Sequence, residues 1–204
     1  MTTLTVGSGQ TYSTIAAAVA AAGSGDTINV QAGTYTNDFI TVRTSLTIQA
    51  VGGAVNMVAT AQPPNGKAII TEGAAGINVT LSGLTLSGAT VPDGNGAGVR
   101  YEGGSLTMNG MTVRGNQDGL LGNSDANGSI TINNSTFTGN GAGDGYTHNI
   151  YVGAINSFTL TNSTITDAKV GHDVKSRAAN NVITGNVITD TSGTASYEID
   201  LPNG

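Results

Sequence analysis

The chain has 204 residues, with 31 Gly, 30 Thr and 20 Asn set against six Tyr, three Phe, and neither Trp nor Cys. Charged residues make up 10% and the formal net charge is −6, which excludes the basic footprint of a general nucleic-acid or anionic-membrane binder. The lack of cysteine removes disulfides, zinc-thiolate sites and thiol nucleophiles together, and a core so poor in aromatic anchors must be built from stacked aliphatic side chains.

The start, Met1 to Val6, lacks the charged segment and apolar run of a secretory signal, and no stretch is apolar enough to insert in a membrane. Tyr12 to Ala22 is Ala-rich, with Ile15 and Val19 four apart and Gly23 beyond. That pattern predicts an amphipathic helix with Ser13 or Thr11 as N-cap, followed by a strand from Asp26 to Tyr35. The helix reads as a lid over an open sheet end, which would otherwise invite pairing. Thr60 to Gly66 reads as an excursion, as does the loop Gly139 to Thr147.

From Val79 onward one segment recurs five times without a gap: Val79–Leu86, Leu106–Val113, Ile130–Phe137, Phe158–Ile165 and Asn181–Ile188. The column Gly83, Gly110, Asn134, Asn162, Gly185 holds only residues that tolerate a left-handed backbone, so each copy is two short strands joined at a tight bend. The flanking columns Leu81/Met108/Ile132/Leu160/Ile183 and Leu86/Val113/Phe137/Ile165/Ile188 are wholly apolar and form the predicted core. A third strand follows each copy, at Ala97–Tyr101, Asp118–Gly122, His148–Val152, His172–Ser176 and Tyr197–Leu201, with Val99, Leu120, Ile150, Val174 and Ile199 inward. Stacked three-strand coils satisfy the backbone between turns at a spacing of roughly 4.8 Å.

The segments Val6–Ile15, Gly25–Val30, Ala32–Tyr35 and Leu46–Ala50 resemble the amino-terminal lid and first turns of right-handed parallel β-helix proteins of the pectin-lyase-like superfamily. With the Gly/Asn bends, the likeness covers nearly the whole chain. It implies an all-β right-handed parallel β-helix with an N-terminal capping α-helix. The expected single domain runs over 1–204, with the cap and first turn in about 1–35 and coils over 36–204. No C-terminal cap is visible before Pro202, Asn203 and Gly204, so the expectation is either a fragment of a longer chain or a last turn that packs end to end on another molecule.

The superfamily spans lyases, hydrolases, epimerases, tailspikes and adhesins, so chemistry must be argued from residues. The Asp-Pro-His-Asp segment of mannuronan epimerases is absent, as are calcium-binding glycine-rich nonapeptides; Gly171–Asp173 and Lys175–Arg177 match polygalacturonase motifs only out of order. Strand alternation sends Asn149, Tyr151, Asp173, Lys175, Arg177, Glu198 and Asp200 to one outer face, with His148 and His172, the two histidines of the chain, at its edge. Uronate elimination needs a cation for the carboxylate, a base for the C5 proton and an acid for the leaving oxygen. Arg177 suits the first role, Lys175 or His172 the second and Tyr151 the third. His148, Asn149, Asp173, Glu198, Asp200 and Arg100 suit substrate binding. Asp173, Glu198 and Asp200 would either hold Lys175 or bind Ca2+, the one cofactor the sequence suggests.

Two readings follow. One is a carbohydrate-active β-helix, a lyase on an acidic polysaccharide, at the surface of or outside a bacterium; glycoside hydrolysis by paired carboxylates ranks below it. The other is a non-catalytic structural or adhesive module.

Overall fold

In the computed structural model, which describes residues 1–202, the chain winds into a parallel β-helix with one short helix at its amino-terminal end. The first coils comprise β1 (Thr3–Val6), α1 (Ile15–Ala21), β2 (Asp26–Thr36), β3 (Ile40–Val42), β4 (Leu46–Val58) and β5 (Ala68–Glu72). Three further coils follow as β6 (Asn78–Ser82), β7 (Leu84–Ser87), β8 (Ala97–Tyr101); β9 (Ser105–Asn109), β10 (Thr112–Arg114), β11 (Asp118–Gly122); and β12 (Asp125–Asn133), β13 (Thr136–Thr138), β14 (Ile150–Val152). The last two are β15 (Ile155–Thr161), β16 (Thr164–Thr166), β17 (His172–Ser176) and β18 (Asn180–Thr184), β19 (Val187–Thr189), β20 (Tyr197–Asp200).

Every ladder is parallel and joins a strand to its equivalent one coil away. A 13-stranded sheet wraps two sides of the coil and a 7-stranded sheet, β20-β17-β14-β11-β8-β5-β3, forms the third. The wrap is made at the bends: Gly83, Gly110, Asn134, Asn162 and Gly185 all have positive φ, between 49° and 71°. This left-handed step costs Gly nothing and Asn little.

The predicted columns are the core. Leu81, Met108, Ile132 and Leu160 are buried, as are Leu86, Val113, Phe137 and Ile165, and each such side chain contributes about 1.5–3 kcal/mol. Ile183 and Ile188 in the last coil are partly buried, and Ile199, expected inward, is 44% exposed. On the outer surface of the large sheet Thr3, Thr27, Thr47, Thr80, Thr107, Thr131 and Thr159 stand in direct register, one per coil. The β-branched side chain suits a pleated, half-buried surface, which accounts for the abundance of threonine.

The cap is shorter than the sequence pattern. α1 begins at Ile15, and its N-cap is Thr14, not Ser13 or Thr11: Thr14 Oγ1 accepts the Ala17 N–H at 3.2 Å. The carboxylate of Asp38 accepts the N–H groups of Ile15 and Ala16 at 2.6 and 3.0 Å, so the helix end is satisfied from the adjoining coil. The strand beneath it runs to Thr36. Part of the expected C-terminal segment, Asn203 and Gly204, lies outside the described residues.

One core position breaks the apolar pattern. Glu72 lies in register between Val42 and Tyr101, is fully buried, and neither carboxyl oxygen has a partner among the described residues. Burial pushes its pKa from 4.5 to about 9, so the folded chain holds the proton that the unfolded chain releases. Stability should therefore fall as pH rises from the ordinary glutamate value toward about 9, by a few kcal/mol in all. Urea denaturation of Glu72→Gln across that window should show this slope flattened.

Candidate functional site

The outer face of the 7-stranded sheet carries one continuous row in which Thr71, Arg100, Leu121, Tyr151, Lys175 and Asp200 are successive register partners. The alternation read from sequence thus holds for Tyr151, Lys175 and Asp200. Lys175 Nζ lies 3.2 Å from Asp200 Oδ2, and His172 Nε2 lies 3.4 Å from the same oxygen. Tyr146, His148, Tyr151, Lys175 and Arg177, with Leu121, line one open groove of about 270 Å³. Tyr146 comes from the loop after β13, which forms a wall of the groove, and it is 86% exposed.

Asn149 and Asp173 do not join that face, contrary to the alternation; both are fully buried. At the corner leading into the third strand, the residue before the inward column also faces the interior. A Cβ at the equivalent Gly98 would meet Val113 Cγ1 at 2.6 Å, and one at Gly119 would meet Phe137 Cδ1 at 2.9 Å. The corner leaves backbone groups that need partners, and side chains supply them. Asn116 Nδ2 donates to Asn140 Oδ1 at 3.1 Å, Asn140 Nδ2 to Asn149 Oδ1 at 2.7 Å, and Asn149 Nδ2 to Asp173 Oδ1 at 2.7 Å. Along this ladder Asn149 also donates to the Thr166 carbonyl, and Asp173 accepts the Ala168 N–H. Burial raises the Asp173 pKa to about 6, and its other oxygen has no partner among the described residues. Asn149 and Asp173 are therefore structural groups behind the groove.

The histidines are likewise inside the edge, not on it: His148 is 3% and His172 7% exposed. They stack in one column with Asp118 and Tyr197, in which Asp118 and His148 each accept a backbone N–H from the next coil. Asp118 Oδ1 accepts the His148 N–H at 2.8 Å and His148 Nδ1 accepts the His172 N–H at 2.9 Å. The His148 ring stacks on Tyr151 with centroids 5.7 Å apart, and His172 on Tyr197 at 5.3 Å. Burial, then the neighbouring His172 and Lys175, push the His148 pKa down to about 4; burial and Lys175 lower that of His172 against the pull of Asp200. Burial lifts Asp118 to about 8. His172 lies beside the groove rather than in its lining, touching it through Asp200.

Arg100 shares the row but not the groove. Its Nε lies 3.1 Å from Glu102 Oε1, which also takes Lys67 Nζ at 2.6 Å, and its Nη2 donates to Asn123 Oδ1 at 2.7 Å. Its neighbour Tyr101 is buried, not exposed. Glu198 is exposed on β20. Among the described residues no three His, Asp or Glu side chains converge as a metal site requires, so Asp173, Glu198 and Asp200 do not form the Ca2+ cluster considered from sequence. A larger hollow of about 460 Å³ between α1 and β3 is lined mainly by Ala16, Val19, Ala20, Phe39 and Ile40, with Arg43 its one charged group.

Tyr197 and Asp118 were not singled out from sequence. Tyr197 opens a third-strand segment that was recognised, two residues before its inward column, where the histidines stand in the coils below. Asp118 occupies the same place in an earlier coil, so the column itself was the signal.

No protein-family model matches the chain, and no curated protein matches it in sequence. Among solved structures it resembles the pectin methylesterase of Aspergillus niger in its deglycosylated form, with a TM-score of 0.55 and 18% identity over 96% of this chain and 72% of that one. It also resembles pectate lyase Pel9A, with a TM-score of 0.54 and 16% identity over 88% of this chain and 61% of that one. These likenesses establish the fold, a parallel β-helix, and leave the chemistry to the site.

The amide ladder is open to test. Asn149→Ala would strip partners from the Asn140 amide, the Thr166 carbonyl and Asp173, and should cost about 1–3 kcal/mol of stability by chemical denaturation. Replacing the exposed Glu198 by alanine should shift stability by less than about 0.5 kcal/mol.

Proposed function

We propose that the chain binds an acidic polysaccharide across the outer face of the 7-stranded sheet and acts on it as a lyase, at the groove of Tyr146, Tyr151, Lys175 and Arg177. The observation that carries this reading is the convergence of two cations, two phenols and an imidazole on one groove in a chain of net charge −6. Arg177 pairs with a uronate carboxylate and withdraws charge from it. Lys175, once uncharged, takes the C5 proton; the electrons form the C4–C5 double bond; the C4–O bond breaks, and Tyr151 protonates the departing oxygen. Positioned acids and bases of this kind contribute typically 10²–10⁴-fold. Asp200 orients Lys175 from 3.2 Å. The solved structures of like fold are named for pectin and pectate, and this agrees with an acidic glycan as ligand. An extracellular or cell-surface location on a bacterium fits such a ligand, and no helix among the described residues is long and apolar enough to cross a membrane.

A second reading, a structural or adhesive module associating end to end, is favoured by the last coil, where Val182, Val187, Tyr197 and Ile199 are exposed. Burial of such a surface against a second copy would stabilise contact between coils.

Incubation with pectate, alginate or a glycosaminoglycan should yield an unsaturated product that absorbs in the ultraviolet. Lys175→Ala and Arg177→Ala should each lower its rate about 10²-fold or more while leaving circular dichroism unchanged. Binding without product would reduce the function to recognition; neither binding nor product with any acidic glycan overturns it. For the second reading, sedimentation should show mass rising with concentration and lost in a Val182→Lys, Val187→Lys double variant, whereas a monomer at every concentration sinks it.

A further inference from the structure

We propose that His148 is a fixed, uncharged hydrogen-bond donor to the ligand, its proton held on Nε2, and that with Arg177 it forms a subsite for a carboxylate oxygen. This rests on the groove being the site of an acidic glycan and adds to it the role of one group.

The assignment follows from a backbone bond. A main-chain N–H can only donate, and that of His172 donates to His148 Nδ1 at 2.9 Å. That nitrogen therefore presents its lone pair, and a neutral imidazole has its single proton on the other nitrogen. Asp118, one coil earlier in the same column, takes the N–H of His148 in the same way at 2.8 Å, and a carboxylate oxygen in that role is an acceptor. Stacking on Tyr151, with ring planes 17° apart, and the edge contact with His172 hold the imidazole from two sides.

The Nε2 atom belongs to a residue that is 3% exposed. No group among the described residues bonds to it. Yet the sealed, partnerless side-chain atoms among the described residues belong to Glu72, Asp118 and Asp173, so Nε2 is reached from outside, and His148 lines the groove. A polar atom with no protein partner, on a side chain lining a groove that holds the Arg177 guanidinium, asks for an acceptor. The His148 Nε2–H and the Arg177 guanidinium are donors that match a carboxylate, which has four acceptor sites and no donor when ionised.

The fixed tautomer also decides a role. Nε2 already carries the proton and the only lone pair of the ring, on Nδ1, faces the His172 N–H, so His148 offers the ligand no basic nitrogen and is a donor and not the base. During elimination, charge leaving C5 moves onto the carboxylate oxygens, and a donor already aimed there binds the transition state more strongly than the ground state. His172 and Asp200 act at one remove as positioning residues: the first fixes the His148 tautomer and the second spans His172 Nε2 and Lys175 Nζ at 3.4 and 3.2 Å.

The test is nitrogen NMR on the whole chain labelled uniformly with nitrogen-15 and read at the His, Lys and Arg side-chain nitrogens, alone and with a pentamer of galacturonate or of guluronate. At neutral pH His148 should show the Nε2–H tautomer, and its Nε2–H resonance should move downfield with the acid pentamer and stay in place with the same oligomer reduced to neutral sugar. A Nδ1–H tautomer or an imidazolium overturns the proposal whatever the groove binds. An unmoved Nε2–H with Lys175 and Arg177 resonances shifted removes His148 and leaves the groove standing. No shift anywhere with either pentamer takes down the groove reading and this proposal with it. In parallel, His148→Gln, which keeps an N–H at that place, should hold affinity within about threefold, while His148→Phe should lose about tenfold or more with its melting curve intact. Equal affinity of the two variants would count against a donor.

Discussion

Everything in this molecule depends on the parallel, in-register pairing of each strand with its equivalent one coil away. Because the ladder satisfies the backbone between coils, a side chain's position is fixed by its column, and a column has one chemistry: aliphatic inside, threonine outside, Gly or Asn at the bend. The core is mostly aliphatic, with Tyr101, Phe137 and Phe158 the aromatic side chains fully buried in it, and each aliphatic side chain packs on a near copy of itself above and below. Tyr151, Lys175, Tyr197 and Asp200 instead gather where columns change character, in the third strands of the later coils.

The groove grows from that change of column. In the coils of β14, β17 and β20 the outer row reads Tyr151, Lys175, Asp200, and the column three residues earlier reads His148, His172, Tyr197. Two kinds of layer result. In front are exposed or half-exposed groups that can meet a ligand; behind them, the rings and the Asn149 and Asp173 side chains hold backbone N–H groups that would otherwise be orphaned. A polar network of this sort is stable only when its members are satisfied, which is why one partnerless nitrogen opening to the groove is informative.

Much of this was legible in the sequence. The five bends, the two repeat columns and the outer neighbours Tyr151, Lys175 and Asp200 follow from period and alternation, because the ladder leaves the pattern no freedom. What escaped was set by corners rather than strands. Asn149 and Asp173 sit where the chain turns, and simple alternation fails there because the residue before the inward column also faces inside. The strand holding Glu72 lacks the repeat signature, so a buried carboxyl there had no column to announce it. The histidines were placed in the right stack but at the wrong depth, since sequence gives a side chain's row and not how far neighbouring loops cover it.

The amide ladder from Asn116 to Asp173 bears on how such a chain finds its register. Coils this alike could pair with the wrong neighbour, skipping one and leaving a loop stranded, at little loss of apolar contact. The ladder is not the same at every level: Asn116 and Asn140 occupy one place in the coil, Asn149 and Asp173 another, and each donates in one direction to a particular next member. A skipped coil would set an amide against glycine at 98 or 119 and bury it without a partner. The polar ladder thus numbers the coils, and gives nearly identical repeats an order in which to assemble.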